Sequence, residues 1–287
     1  MTHIPLSTPS SNHATIAADQ TPLGRQGDAE QLLSSEEYAN LEKLLGADQC
    51  RRLGIYRLPA NFVLSVVIPC FNEAKTIEQI VQRVRDTRIP CEIIIVDDGS
   101  TDGTRELLDS LRHDVGLKIV FHEKNQGKGA ALRTGFLKAT GDVVVVQDAD
   151  LEYDPRDLRY LLQPIIENVA DVVYGSRFSG PDRHVAPLWH LAANQLITRL
   201  FSLRHGRKFS DVETCYKLFR RSLIQAIAPE LTEKRFGIEL EMTAKVLRMP
   251  NVLIFERPIS YMRRTFAQGK KIGWRDGIAA LWCILKY

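Results

Sequence analysis

Val143-Val144-Val145-Val146-Gln147-Asp148-Ala149-Asp150-Leu151-Glu152 is the stretch on which the fold turns. Four consecutive β-branched residues predict a strand buried on both faces, the habit of a parallel sheet covered by helices. The two aspartates fall where that strand ends. Open α/β sheets bind ligands just outside the carboxyl ends of their strands, so this segment predicts both a fold and the edge that carries its chemistry.

The chain on either side repeats the theme. Short apolar runs predict strands at 64–68, 92–96, 117–121, 171–174 and 252–255, with 143–147 among them. Between the first two, Ala74, Ile77, Ile80, Val81 and Val84 recur at helical spacing, and Asn72 is expected to cap that helix. Helices at 103–111 and 129–139 separate the next pairs. Strand, helix and strand in succession require crossover connections, hence a mainly parallel sheet with helices on both faces.

Composition narrows the class. The 287 residues are 44% hydrophobic and 25% charged, which excludes a wholly disordered, collagenous or coiled-coil chain. Cys50, Cys70, Cys91, Cys215 and Cys283 include no C-x-x-C pair, so neither a disulfide framework nor a zinc ribbon is expected and a reducing, cytoplasmic compartment is. Residues 1–30 lack the apolar core of a signal peptide and read as a disordered tail. No apolar run approaches the roughly 20 residues of a membrane-spanning helix. Ser34 and Glu37 form a capping box that opens a helix carrying Tyr38, Leu41, Leu44 and Leu45 and ending near Gly46, with a linker to Pro59. The expected organisation is a tail plus short docking helix over 1–60 and one domain over 61–287. The net charge of +3 collects at the end: residues 251–287 hold seven basic and two acidic side chains, whereas the middle is neutral. No broad basic surface exists for nucleic acid, and a basic terminus suits phosphates or anionic lipid.

Three strand ends deliver acids to one edge: Asn72-Glu73, Asp97-Asp98-Gly99-Ser100, and Asp148-Ala149-Asp150-Leu151-Glu152. Two carboxylates one residue apart beyond a buried strand suit a hard divalent cation, Mg²⁺ or Mn²⁺, with Glu152 as a third oxygen ligand. A calcium loop of the EF-hand type fails, because Tyr153 stands where Gly is required and Arg159 where the bidentate Glu belongs. Asn125-Gln126-Gly127-Lys128-Gly129 is not a Walker loop, since His122 and Gly129 break the pattern. It offers either backbone N–H groups and the Lys128 charge to an anion, or only a left-handed turn.

Taken together, Ile68-Pro69-Cys70-Phe71-Asn72-Glu73, Val96-Asp97-Asp98-Gly99-Ser100-Thr101-Asp102-Gly103-Thr104, the Asn125–Gly129 stretch and Gln147–Glu152 resemble family 2 glycosyltransferases of the GT-A fold. Tyr174-Gly175-Ser176-Arg177-Phe178 and the segment from Tyr261 to Lys271 resemble the branch that includes dolichyl-phosphate mannose synthase and bacterial polyprenyl-phosphate glycosyltransferases. The resemblance runs from about Leu64 onward. It implies that Pro69, Phe71, Glu73 and Asp97 hold the nucleoside of a nucleotide-sugar, with Phe71 replacing the branch's usual Tyr. It implies that Asp148 and Asp150, with Ala149 between them, bind the diphosphate through the metal, and that Glu152 stands where the synthase has Gln. Arg177, Arg264 and Lys271 are implied to neutralise phosphate around the reacting bond, where negative charge develops as the nucleotide departs.

The acceptor divides the expectations. A hydroxyl needs a general base, for which Asp211 in Ser210-Asp211-Val212-Glu213-Thr214 is the candidate. A polyprenyl phosphate is already anionic and needs cations, which Arg177, Arg263, Arg264 and Lys270 supply. Glu239 and Glu241 open a helix, where acids also complement the dipole. Trp274, Ile278, Leu281, Trp282 and Leu285 recur at helical spacing, as in a terminal helix packed on the sheet or one lying in a membrane interface. The expected activity is inverting, metal-assisted transfer from a UDP- or GDP-sugar to a polyprenyl phosphate at the cytoplasmic membrane face. The alternative is the same chemistry on a sugar or other hydroxyl.

Overall fold

The computed structural model describes residues 35–179, 188–262 and 274–287. Among them seven strands form one sheet: β1 (Leu64–Cys70), β2 (Cys91–Asp97), β3 (Leu117–Phe121), β4 (Val143–Val146), β5 (Val172–Ser176), β6 (Lys217–Arg220) and β7 (Ile254–Pro258), in the order β3-β2-β1-β4-β6-β5-β7. All are mutually parallel except β6, which runs antiparallel between β4 and β5. The six expected strands are present. The seventh, β6, begins Lys217-Leu218-Phe219-Arg220, charged at both ends and only two apolar residues long, so it shows no apolar run.

Helices cover both faces: α1 (Ser35–Leu45), α2 (Ala47–Arg52), α3 (Ile77–Asp86), α4 (Thr104–Ser110), α5 (Lys128–Lys138), α6 (Asp157–Ile166), α7 (Leu188–His205), α8 (Arg221–Ile227), α9 (Ile238–Arg248) and α10 (Trp274–Lys286). The valine run divides by alternation, as strand geometry requires. Val143 and Val145 face α3 and α6 with Val66, Ile68, Ile93 and Ile95. Val144 and Val146 face α5, α8 and α9 with Val67, Ile94 and Val96. Gly135 of α5 lets helix and sheet approach closely, since a Cβ there would lie 2.3 Å from a methyl of Val67. No helix among the described residues is long and apolar enough to cross a membrane.

Three local expectations are corrected. Asn72 does not cap α3, whose N-cap is Thr76; it adopts φ 55° and uses its side chain elsewhere. The stretch after Gly46 is not a plain linker but holds α2, with Cys50 buried. Nor does the domain begin at residue 61. The Tyr56 hydroxyl donates to the Arg159 carbonyl at 2.6 Å, Gln163 donates to the Arg51 carbonyl, and Tyr56 lies in the core beneath α6. The Ser34 cap lies outside the described residues.

Candidate active site

The sheet splits at β1. Its register with β4 ends at Val67, while its register with β2 continues to Cys70, so Pro69, which has no N–H to give, follows the last β4 pair. The crevice of a doubly wound sheet opens at such a divergence. Phe71, Asn72 and Glu73 follow directly. Asn72 stitches this loop to the end of β2: its backbone N–H donates to Ser100 Oγ at 2.9 Å and its side-chain oxygen accepts the Thr101 N–H at 2.8 Å. Glu73 accepts the Thr76 hydroxyl, while its N–H donates to Thr104 Oγ1.

At the tip of β2, Asp97 is fully buried, accepts the Ser100 N–H and lies 3.5 Å from the Arg105 guanidinium. Asp98, to which sequence reading gave no separate role, fastens the glycine loop. It accepts the N–H groups of Gln126 at 3.0 Å and Gly127 at 2.7 Å, and meets His122 Nδ1 at 2.7 Å. That consumes the amides offered to an anion. The Gly129 N–H is spent as well, on the Lys234 carbonyl at 2.8 Å. The loop's glycines serve close packing instead: a Cβ on Gly127 would stand 2.1 Å from the Lys234 carbonyl oxygen, and one on Gly129 2.0 Å from that of Glu233.

Lys128, at the head of α5, reaches across to β4. Its Nζ lies 2.8 Å from Asp148 Oδ1, 3.1 Å from Glu239 Oε1 and 2.9 Å from Cys215 Sγ. Burial alone would pull the ammonium pKa down, but Asp148, Cys215 and Glu239 outweigh it and hold it well above the ordinary lysine value. Glu239 Oε2 is buried with no hydrogen-bond partner. The two helix-start glutamates therefore separate. Glu239 faces the Asp148 cluster, while Glu241 is structural, accepting the N–H groups of Thr232 and Glu233.

Beyond Asp148 the chain turns sharply. Asp150 accepts the Glu152 N–H at 3.1 Å, and Leu151 takes φ 64°, a left-handed conformation unfavourable for a bulky side chain. Glu152 turns toward Tyr261, whose hydroxyl donates to it at 2.6 Å, and the Glu152 carbonyl accepts the Met262 N–H. Among the described residues no group of three or more His, Cys, Asp or Glu is arranged to hold a metal ion. The Asp148, Asp150 and Glu152 set is thus not assembled as three convergent ligands, and Glu152 instead tethers Tyr261 and Met262, just past β7. Those two residues, with Arg263 and Lys270, lie outside the described residues.

Arg177 leaves β5 for the same edge. Asp211 grips it with two bonds of 2.7 Å to the guanidinium and accepts its backbone N–H at 3.1 Å. The guanidinium carbon lies 5.3 Å from the Tyr261 ring centre and 5.5 Å from that of Phe178. Asp211 is fully buried and committed to this pair, so its geometry is that of an anchor rather than a base awaiting a proton. Glu213 is the more exposed carboxyl of the loop; burial raises its pKa to about 7, with Arg177 pulling the other way.

Sequence reading missed what shapes this loop. Lys217, buried at the start of β6, donates to the carbonyls of Val212 at 2.7 Å and Thr214 at 2.6 Å, and Glu256 accepts the N–H groups of Ser210 and Asp211. Tyr153, packed between the tilted rings of Tyr216 and Tyr261, accepts the Cys215 N–H through its hydroxyl. The alternating Tyr216, Leu218 and Lys217, Phe219 was the available signal for β6.

Comparison with known proteins bears on this arrangement. Residues 65–228 match the signature of Glycosyl transferase family 2, more than half of the chain. The chain belongs to glycosyl transferase family 2. This member of the family is 31% identical over 189 residues to glycosyltransferase AglJ of Haloferax volcanii, covering 66% of this chain but 59% of that protein's length. It is 28% identical to the undecaprenyl-phosphate mannosyltransferase of Micrococcus luteus, covering 75% of this chain and 94% of the relative. Glucosyl-3-phosphoglycerate synthase of Mycobacterium tuberculosis, solved with Mn²⁺, uridine diphosphate and phosphoglyceric acid, superposes with a TM-score of 0.58 at 20% identity, covering 78% and 79% of the two chains. The family member is an α/β protein of GT-A fold and a glycosyltransferase.

Proposed function

We propose that this glycosyltransferase moves a sugar from a UDP- or GDP-sugar to a polyprenyl phosphate at the cytoplasmic face of a membrane. The observation that carries the acceptor reading is the Arg177–Asp211 pair. The acid expected to deprotonate a hydroxyl is occupied in holding a guanidinium at the reacting edge, an arrangement suited to an acceptor that arrives already ionised. The undecaprenyl-phosphate relative supports the same choice.

On the donor side, Pro69, Phe71, Glu73 and Asp97, at the carboxyl ends of β1 and β2, are assigned to the nucleoside. The Asp148 and Asp150 carboxylates suit Mg²⁺ or Mn²⁺. Such ions take one or two protein carboxylates plus substrate phosphates rather than a full protein cage, and Asp148 already meets one cation in Lys128. When bound, the ion would stabilise charge on the departing diphosphate. Lys128 adds positive charge beside Asp148, and Arg177 holds the acceptor phosphate in line. Glu152, through Tyr261, sets the start of the segment bearing Arg264 and Lys271, which are assigned to the diphosphate.

A hydroxyl acceptor is favoured by one observation, the Glu213 carboxyl, whose pKa near 7 suits a general base. The test is transfer of radiolabelled sugar from UDP- and GDP-sugars to undecaprenyl phosphate, followed by butanol extraction. Label entering the organic phase and surviving Glu213→Gln supports the phosphate acceptor. Label confined to water-soluble product, and lost in Glu213→Gln, overturns it.

A further inference from the structure

We propose that the outward faces of α7 and α10 form a docking surface for an anionic lipid bilayer. The inference rests on the polyprenyl-phosphate reading above, because such an acceptor is held in a membrane.

α10 is apolar on both sides. Its inner residues Ala280, Cys283 and Ile284 are buried with Ile197 and Phe201 of α7 and Leu240 and Ala244 of α9, so it packs on helices rather than on the sheet. Its outer side still shows Leu281, Trp282 (65% exposed) and Leu285 (71% exposed). Large apolar residues on the outer side of a helix whose inner side is already packed suit a second apolar contact, such as lipid. The neighbouring α7 does the same: Leu196, Leu200 and Leu203, spaced by four and three, share one face and are all exposed, Leu203 at 79%. Single surface leucines are ordinary, whereas six large apolar groups on two helices that pack together mark a contact surface.

Charge selects the occupant. Residues 188–210 contain Arg199, Arg204, Arg207 and Lys208 and no acid. All four are exposed, and none is ion-paired among the described residues. A second copy of the chain would set this positive field against itself. Anionic head groups complement it, and leucine and tryptophan beside arginine is the composition of an interfacial surface. The surface also adjoins the reaction: α7 runs through Gly206 into Ser210 and Asp211, whose carboxylate holds Arg177.

Flotation of the full chain with phosphatidylcholine vesicles, alone or mixed equally with phosphatidylglycerol, tests the proposal. The protein is expected to float with the mixed vesicles and far less with phosphatidylcholine. Leu203→Glu combined with Trp282→Glu is expected to cut binding by about tenfold or more, from the lost burial of two large apolar groups. Leu137→Glu, at an exposed position of α5 away from this surface, is the control and leaves flotation unchanged. Equal flotation of wild type and the double variant overturns the proposal. So does a double variant that floats normally but turns a dimer into a monomer in sedimentation velocity, which would assign the face to a second copy. Transfer to a water-soluble short-chain prenyl phosphate separates the two readings. The double variant retains it if only docking is lost. Wild type that floats but never transfers to any prenyl phosphate leaves this surface standing and removes the acceptor assignment.

Discussion

Asp211→Asn discriminates most sharply between anchor and base. Asp211 is fully buried and makes three bonds to Arg177, two of 2.7 Å to the guanidinium and one of 3.1 Å to its backbone N–H. Asparagine keeps the volume and one oxygen acceptor but removes the charge, leaving a largely buried guanidinium uncompensated. Removing one member of a buried pair costs about 3–5 kcal/mol, mostly the penalty of the stranded charge. For a domain of this size each kcal/mol lowers the unfolding midpoint by about 2–4 °C, so a fall of roughly 6–20 °C is expected, toward the lower end because one acceptor survives. Thermal and urea unfolding at neutral pH measure it. Arg177→Met in the Asp211→Asn background should recover part of the loss, giving a coupling energy that a double-mutant cycle reads directly. An anchor also predicts that nucleotide binding, followed as a thermal shift with UDP or GDP, is retained in the single variant at temperatures where it is folded. If Asp211→Asn unfolds within about 1 kcal/mol of wild type while transfer falls a hundredfold, Asp211 is a base and not an anchor.

Lys128→Met leaves Asp148 and Glu239 facing each other without their shared cation, so stability should fall by about 3 kcal/mol. Added Mn²⁺ should then raise the unfolding midpoint more in the variant than in wild type, and an equal or smaller rise contradicts the shared-cation picture. Glu213 and Asp157 have folded pKa values raised to about 7 and about 6, from ordinary values of 4.5 and 3.8. The folded state therefore binds protons more tightly, and their contribution to stability is lost as pH rises from about 4 through 7. Urea midpoints at pH 5 and pH 8 report this, and Glu213→Gln should flatten the slope. Gly129→Ala would press a methyl to 2.0 Å from the Glu233 carbonyl oxygen, a backbone atom that cannot swing aside. A loss of about 2 kcal/mol or more is expected in urea unfolding, and an unchanged midpoint would show that the loop is not packed as described.

Legibility differed between elements for physical reasons. The Val143–Val146 run announces a doubly buried strand because both of its faces meet helices, and alternation then sends Val143 and Val145 one way and Val144 and Val146 the other. β6 has no such run. Its Lys217 is buried, yet only because the carbonyls of Val212 and Thr214, in the loop just before the strand, fold back to receive the ammonium. The glycine loop was readable as a turn but not in purpose. Whether its amides await an anion depends on Asp98, nearly thirty residues upstream, and on the carbonyl of Lys234, about a hundred downstream.

The sequence by itself determined the alternation of strands and helices, the acids at three strand ends and the family resemblance, because hydrophobic period, turn chemistry and contiguous motifs are local properties of the chain. Tertiary structure alone decided which of those polar groups were spent. Asp211 closes on Arg177, Lys128 bridges Asp148 and Glu239, and Glu152 turns to Tyr261. Each of these pairings joins residues far apart in sequence. A buried charge takes whichever partner the fold brings within reach, and no spacing along the chain encodes that partner.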